Sequence, residues 1–208
     1  MFKTFDVQSV AVSSSASFDH GVEYPAQIVG LWNASKEFQG NVKSGVALLV
    51  LLKDNNDTCA YRSMFVSLEG YVLGQKAAYG TLMRGLLRCS DSGAALKEKI
   101  NAAGLNDLRS LIGRPCLARM VVRDSGNGRT WANIESLSGE TARAKGLCLS
   151  TDDKVEPVDI QRVCGKFVKI PSIADCITID GLQVLDGMQN IADGIGDVIR
   201  DSANMNVF

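Results

Sequence analysis

The sequence predicts a mainly β domain, a five-stranded Greek-key barrel with helices between its third and fourth strands and a helical tail after the fifth. Three observations carry this prediction. Five segments of strand length and composition precede residue 140, and polar or glycine-containing turns separate them. Apolar residues shift to helical spacing only between the third and fourth of these segments. No apolar run reaches the ~20 residues of a membrane helix; the longest, GVALLVLL at 45–52, has strand length. At 208 residues the chain can bury one sizeable core and carry a small appendage. The expected organisation is a serine-rich flexible arm at 1–20, a domain at 21–145 and an acidic extension at 146–208.

In EYPAQIVGLWN (23–33) Tyr24, Ala26, Ile28 and Trp32 alternate, and Gly30 suits a bulge or bend. ASKEFQGNVKSG (34–45) reads as a loop. GVALLVLLKD (45–54) is apolar on both faces, as expected of a central strand or of one curled into a small barrel. After the turn NNDT, TCAYRSMFVSL (58–68) forms the third strand. From Gln75 to Cys89, Ala78, Leu82, Leu86 and Leu87 recur at helical spacing, and shorter helical pieces follow at 94–103 and 107–112, punctuated by Gly93, Gly104 and Gly113. RPCLARMVVRD (114–124) and RTWANIESL (129–137) are the last two strands, joined by SGNG. Three strands, helices and two strands follow one another as in the OB barrel. Beyond it, KFVKI (166–170) suits a strand, and Leu185, Met188, Ile191, Ile195 and Val198 trace a helical stripe within 182–199, weakened by Gly187, Gly194 and Gly196.

The net charge of -1 conceals a division. Residues 62–145 hold 13 basic and 7 acidic side chains, whereas residues 146–208 hold 5 and 10. A basic centre suits a polyanion, and an acidic end suits a competing or partner-docking segment. MFKTFDVQSV lacks the apolar core of a secretory signal, which makes a cytoplasmic location the expectation. Cysteines 59, 89, 116, 148, 164 and 176 form no C-x-x-C pair and read as reduced, buried small hydrophobes. No metal or cofactor site is expected.

The last two strands hold the candidate site. With Arg123 placed opposite Arg129, Val121 faces Trp131 and Arg119 faces Asn133 on one side of the hairpin, while Met120, Ala132, Ala118 and Ile134 line the other. The first face gathers three arginines, an asparagine and an indole, and lacks the alternating-sign charges that would neutralise a simple solvated surface. Guanidinium groups bind phosphate, and an indole supplies a stacking platform worth ~1–3 kcal/mol per base. Trp32, and Lys43 with Phe38 and Lys36 in the neighbouring loop, form a second aromatic and basic group. Tyr61 and Phe65 share a face of the third strand, Arg62 pointing away from them; Tyr61 and Arg62 join the candidates, and Phe65 reads as core.

GVEYPAQIVGL, the apolar second strand, LIGRPCLARMVV and NGRTWANIESL together resemble bacteriophage-encoded OB-fold single-stranded DNA-binding proteins of replication and recombination, over residues 18–139. In that family an early strand follows a Gly, aromatic, Ala, Ile pattern, and a late hairpin follows Leu, Gly, basic, Pro and then an asparagine-containing strand. The resemblance implies a non-enzymatic protein that coats single-stranded DNA with little sequence preference. Its partners would be single-stranded DNA or RNA, other replication proteins through an acidic C-terminal region, and further copies of itself; a membrane is not among them. Similar proteins sometimes end in acids and a phenylalanine. Here Phe208 follows Asp186, Asp193, Asp197 and Asp201, but NMNVF itself carries no acid.

Two other classes compete. An enzyme finds little support, because the single histidine, His20, lies in the arm, SGNGRT lacks the spacing of a phosphate loop, and Asp152, Asp153 and Glu156 read as a solvated linker. A virion or scaffold protein would use the same arginine and tryptophan face for protein contacts.

Overall fold

A computed structural model describes residues 16–69, 72–124, 126, 130–145 and 147, and the backbone of 154–155 and 177–178. The elements in chain order are β1 (Glu23–Phe38), β2 (Asn41–Lys53), β3 (Thr58–Ser67), α1 (Ala78–Leu87), α2 (Gly93–Ala102), a 3₁₀ turn (Leu108–Leu111), β4 (Pro115–Asp124), β5 (Thr130–Ser138), β6 (Lys154–Val155) and β7 (Ile177–Thr178). Helices between the third and fourth strands are thus borne out. Among the described residues the strands form one mainly antiparallel sheet in the order β5-β4-β1-β2-β3-β6, with β7 paired to β1. β3 and β5 approach each other without exchanging a ladder, so the sheet does not close as the barrel expectation required.

β1 is longer than expected, and the predicted loop at 34–45 is a hairpin. β1 continues to Phe38, β2 starts at Asn41, and the two-residue turn has positive φ at both Gln39 (53°) and Gly40 (79°). That is the turn whose twist matches the flanking strands. A bulge lies between Ile28 and Gly30, where bending was expected. Its extra residue shifts the alternation, so Tyr24, Ala26 and Ile28 enter the core and Leu31, not Trp32, continues the series.

β2 is buried on both faces. Val46, Leu48, Val50 and Leu52 join the main core with Tyr24, Ile28, Tyr79, Leu82, Met83, Leu96 and Ile100. On the opposite face Val29, Ala47, Leu49, Leu51, Cys59 and Tyr61 are also buried. Parts of the chain after β5 join the sheet along strand edges: β6 runs parallel to β3, β7 pairs with Gly30 and Leu31, and the Leu147 amide donates to the Ala26 carbonyl. Residues 154–155 and 177–178 are therefore members of the sheet. The expected strand at 166–170 and helix within 182–199 lie outside the described residues.

The turn from β2 to β3 is organised by Asp54, whose carboxylate accepts from the amides of Asn56 and Thr58 (both 2.8 Å) and of Ser17 (2.9 Å). The last bond fastens a segment assigned by the sequence to the arm. Phe18 is buried edge-on against Tyr24 (5.0 Å between centroids), and the Gly21 and Met120 backbones continue the β1–β4 pairing. Residues 16–20 thus belong to the folded domain. α1 meets the end of β5 backbone to backbone: the Gly139 amide donates to the Gly85 carbonyl at 3.0 Å, and a methyl on Gly85 would lie 2.1 Å from the Leu137 carbonyl oxygen. Cys59 and Cys116 are buried and Cys89 half-buried. No helix among the described residues is long and apolar enough to cross a membrane.

Candidate nucleic-acid interface

The β4–β5 hairpin divides into the two faces that alternation demands. Cys116, Ala118 and Met120 enter the core, with Ala132 and Ile134 packed against it. Arg119, Val121, Arg123, Trp131 and Asn133 take the opposite parity. The pairing differs from the expected one: Arg123 stands opposite Trp131 and Val121 opposite Asn133, two residues away from the sequence-based register. A shift of two preserves the faces, whereas a shift of one would exchange them.

A second correction concerns charge. A bulge between Arg119 and Met120 places Arg119 opposite Ser136 and leaves Glu135 as the extra residue. The Arg119 guanidinium binds the Glu135 carboxylate (Nε to Oε2, 3.0 Å), both side chains being about half exposed. Glu23, which accepts from the Ser138 hydroxyl at 3.3 Å, is the neighbour of Arg119 on β1. The face therefore does carry neutralising acids, and they gather at its Arg119 end. At the turn end, Trp131 is 55% exposed and Arg123 makes no ion pair among the described residues. Glu135 shares the alternation of Trp131 and Asn133, so parity alone could have identified it. Arg129 lies outside the described residues. Asp124 steadies the turn by accepting from the Gly126 amide at 3.0 Å, and His20 Nδ1 accepts from the Val122 amide at 3.3 Å on the other edge of β4.

The remaining candidates separate. Tyr61 is buried, and that burial pushes its hydroxyl up to about 12, which withdraws it from any surface site. Arg62 faces the core side: it is half-buried, lies over the Phe18 ring at 5.3 Å and donates to the Tyr61 carbonyl at 2.7 Å. Phe65, read from sequence as core, is half-buried over Gly45. The β1 register places Trp32 opposite Ala47; its side chain lies outside the described residues. Lys43 is exposed on the β1–β2 hairpin, its ammonium 5.7 Å from the centroid of the exposed Phe38 ring.

β1 separates the two groups. Glu23 at its start pairs with Arg119, and Phe38 closes its far end, so the hairpin ends bearing Trp131 and Lys43 lie at opposite ends of one strand. Among the described residues no three His, Cys, Asp or Glu side chains are disposed to hold a metal ion; Asp152, Asp153 and Glu156 lie outside them. Comparison of the chain with protein-family models, curated proteins and solved structures returns no match.

Proposed function

We propose that this protein binds single-stranded DNA with little sequence preference, coating and protecting strands exposed in replication or recombination, and that it has no enzymatic activity. The observation that carries the reading is an indole more than half exposed, directly opposite an arginine that makes no ion pair among the described residues, near the turn end of the β4–β5 hairpin. A flat π face beside a guanidinium takes a stacked base and the adjoining phosphate without reading a base edge. The strand order β5-β4-β1-β2-β3, with helices after β3, supports an OB-type Greek key opened between β3 and β5. On this reading the acidic region after residue 146 recruits other replication proteins, copies of the chain associate along the strand, and the protein works in the cytoplasm. RNA is the alternative single strand.

The test is fluorescence anisotropy of a labelled oligo-dT titrated at low and moderate salt, with a duplex of equal length beside it. Tight binding of the single strand that weakens with salt, together with much weaker duplex binding, is the expected result. The Arg119–Glu135 pair favours a second reading, because a face with paired charges and Val121 beside an indole also suits contact with another protein in a virion or scaffold. Absence of single-strand binding at either salt would favour that reading.

A further inference from the structure

We infer that His20 is a proton-sensitive clamp on the β4–β5 hairpin: neutral, it holds the edge of β4; charged, it releases that edge and adds a cation near the turn end of the hairpin. The clamp stands on geometry alone, and its effect on DNA rests on the single-strand reading above. The β1–β4 ladder runs from Gln27 opposite Pro115 to Glu23 opposite Arg119. Before Glu23 the chain makes a turn, with the Val22 amide donating to the Asp19 carbonyl at 3.5 Å and Gly21 at a φ of 77° in the third position. Two amides of β4 on this edge are nevertheless bonded. Met120 donates to the Val22 carbonyl at 3.0 Å, and Val122, two residues on, donates to His20 Nδ1 at 3.3 Å. The imidazole thus takes the place of a strand carbonyl beside the residue that precedes Arg123. A carbonyl accepts at any pH, whereas an imidazole accepts only while neutral, because both ring nitrogens of its cation are donors. His20 is exposed, so a proton reaches it without unfolding.

The charged groups on the elements around His20 are Asp19 in its own turn, Glu23 on β1, and Arg119, Arg123 and Asp124 on β4. Asp19 accepts from the Tyr24 hydroxyl at 3.2 Å, and Arg119, paired with Glu135, lies 3.6 Å from where a side chain on Gly21 would begin. His20 is the one histidine of the sequence, and imidazole is the side chain that ordinarily changes charge between about pH 5.5 and 8. Releasing the Val122 amide leaves the hairpin paired, since Met120 to Asp124 keep their ladder to β5. The added charge therefore decides the direction, and single-strand binding should tighten as pH falls. The test uses full-length wild type, His20→Ala and His20→Gln. Without DNA, exchange of the Val122 amide relative to its intrinsic rate should be slow at about pH 8 and lose that protection at about pH 5.5; in His20→Ala it should be unprotected at both. The Met120 amide, bonded to Val22, should stay protected throughout and shows that the fold is intact. Val122 protection that ignores pH in wild type, or survives in His20→Ala, would overturn the clamp. On labelled oligo-dT at about 0.1 M salt, wild-type affinity should rise about fivefold from pH 8 to 5.5 and the salt slope by about 0.7, as for one added phosphate contact, and His20→Gln should lack that gain. An equal gain in His20→Gln would overturn the effect on DNA. Failure of wild type to bind any single strand would overturn the single-strand reading and that effect with it, while the Val122 amide still decides the clamp.

Discussion

Replacing Gly85 with alanine sets two opposing effects against each other, and the geometry decides between them. On helix propensity alone the change should stabilise α1 by about 1 kcal/mol. However, the new methyl would stand 2.1 Å from the Leu137 carbonyl oxygen, where about 3.4 Å is ordinary contact, and both groups are backbone with no rotamer to change. Helix and strand would have to part by more than an ångström, stretching the 3.0 Å bond from the Gly139 amide to the Gly85 carbonyl. Overpacking of this kind costs roughly 1–3 kcal/mol, and the weakened hydrogen bond adds about 1. The net expectation is a loss of roughly 1–3 kcal/mol, or a midpoint lower by about 3–10 °C for a chain of this size, read from thermal unfolding by circular dichroism. Gly139→Ala attacks the same approach from the other side, 2.2 Å from the Leu86 carbonyl oxygen, so the double variant should lose less than the sum of the singles. An unchanged or raised midpoint in Gly85→Ala would show propensity winning and refute the close α1–β5 contact.

Three further outcomes follow from the same geometry. Asp54→Ala removes the acceptor for the amides of Ser17, Asn56 and Thr58; it should cost about 3 kcal/mol and open the chain to chymotrypsin at Phe18, whereas unchanged proteolysis would refute the tether. Tyr61 and Tyr79 have hydroxyls raised by burial from 10.0 to about 12, so the unfolded chain ionises first and stability should fall as pH rises from 10 to 12, by roughly 2–3 kcal/mol per tyrosine. In Tyr79→Phe, which also removes a buried hydroxyl without a partner among the described residues, that fall should be shallower; an identical pH dependence would contradict the assignment. Arg123→Gln should reduce the salt slope of single-strand binding by about 0.7, and an unchanged slope would remove Arg123 from phosphate contact.

Strand and helix positions were legible because apolar period is a local property, and GVALLVLL announced a strand apolar on both faces directly. What depended on pairing was not. Gln39 and Gly40 turned an expected loop into a hairpin, because a glutamine at positive φ carries little of the signal that asparagine would. The bulge before Gly30 was anticipated, yet its consequence, that Leu31 replaces Trp32 in the core series, needs the register itself. Tyr61 is buried and Phe65, on the same face of β3, only half-buried, because cover along that face comes from residues distant in sequence, which no window around residue 61 records. The outward parity of Trp131 and Arg123 was readable from alternation. Glu135 shared that parity, but its meeting with Arg119 was not readable, since a bulge at the middle of β5 brings the two together.

The central claim is that Trp131 stacks on the bases of a single strand. Its most direct test is the affinity of Trp131→Ala for oligo-dT beside wild type, with circular dichroism to establish that the exposed substitution leaves the fold intact. Loss of a stacking contact worth about 1–3 kcal/mol predicts binding weaker by about 5- to 150-fold. Wild-type affinity in the folded variant would contradict the claim and remove the hairpin from the interface.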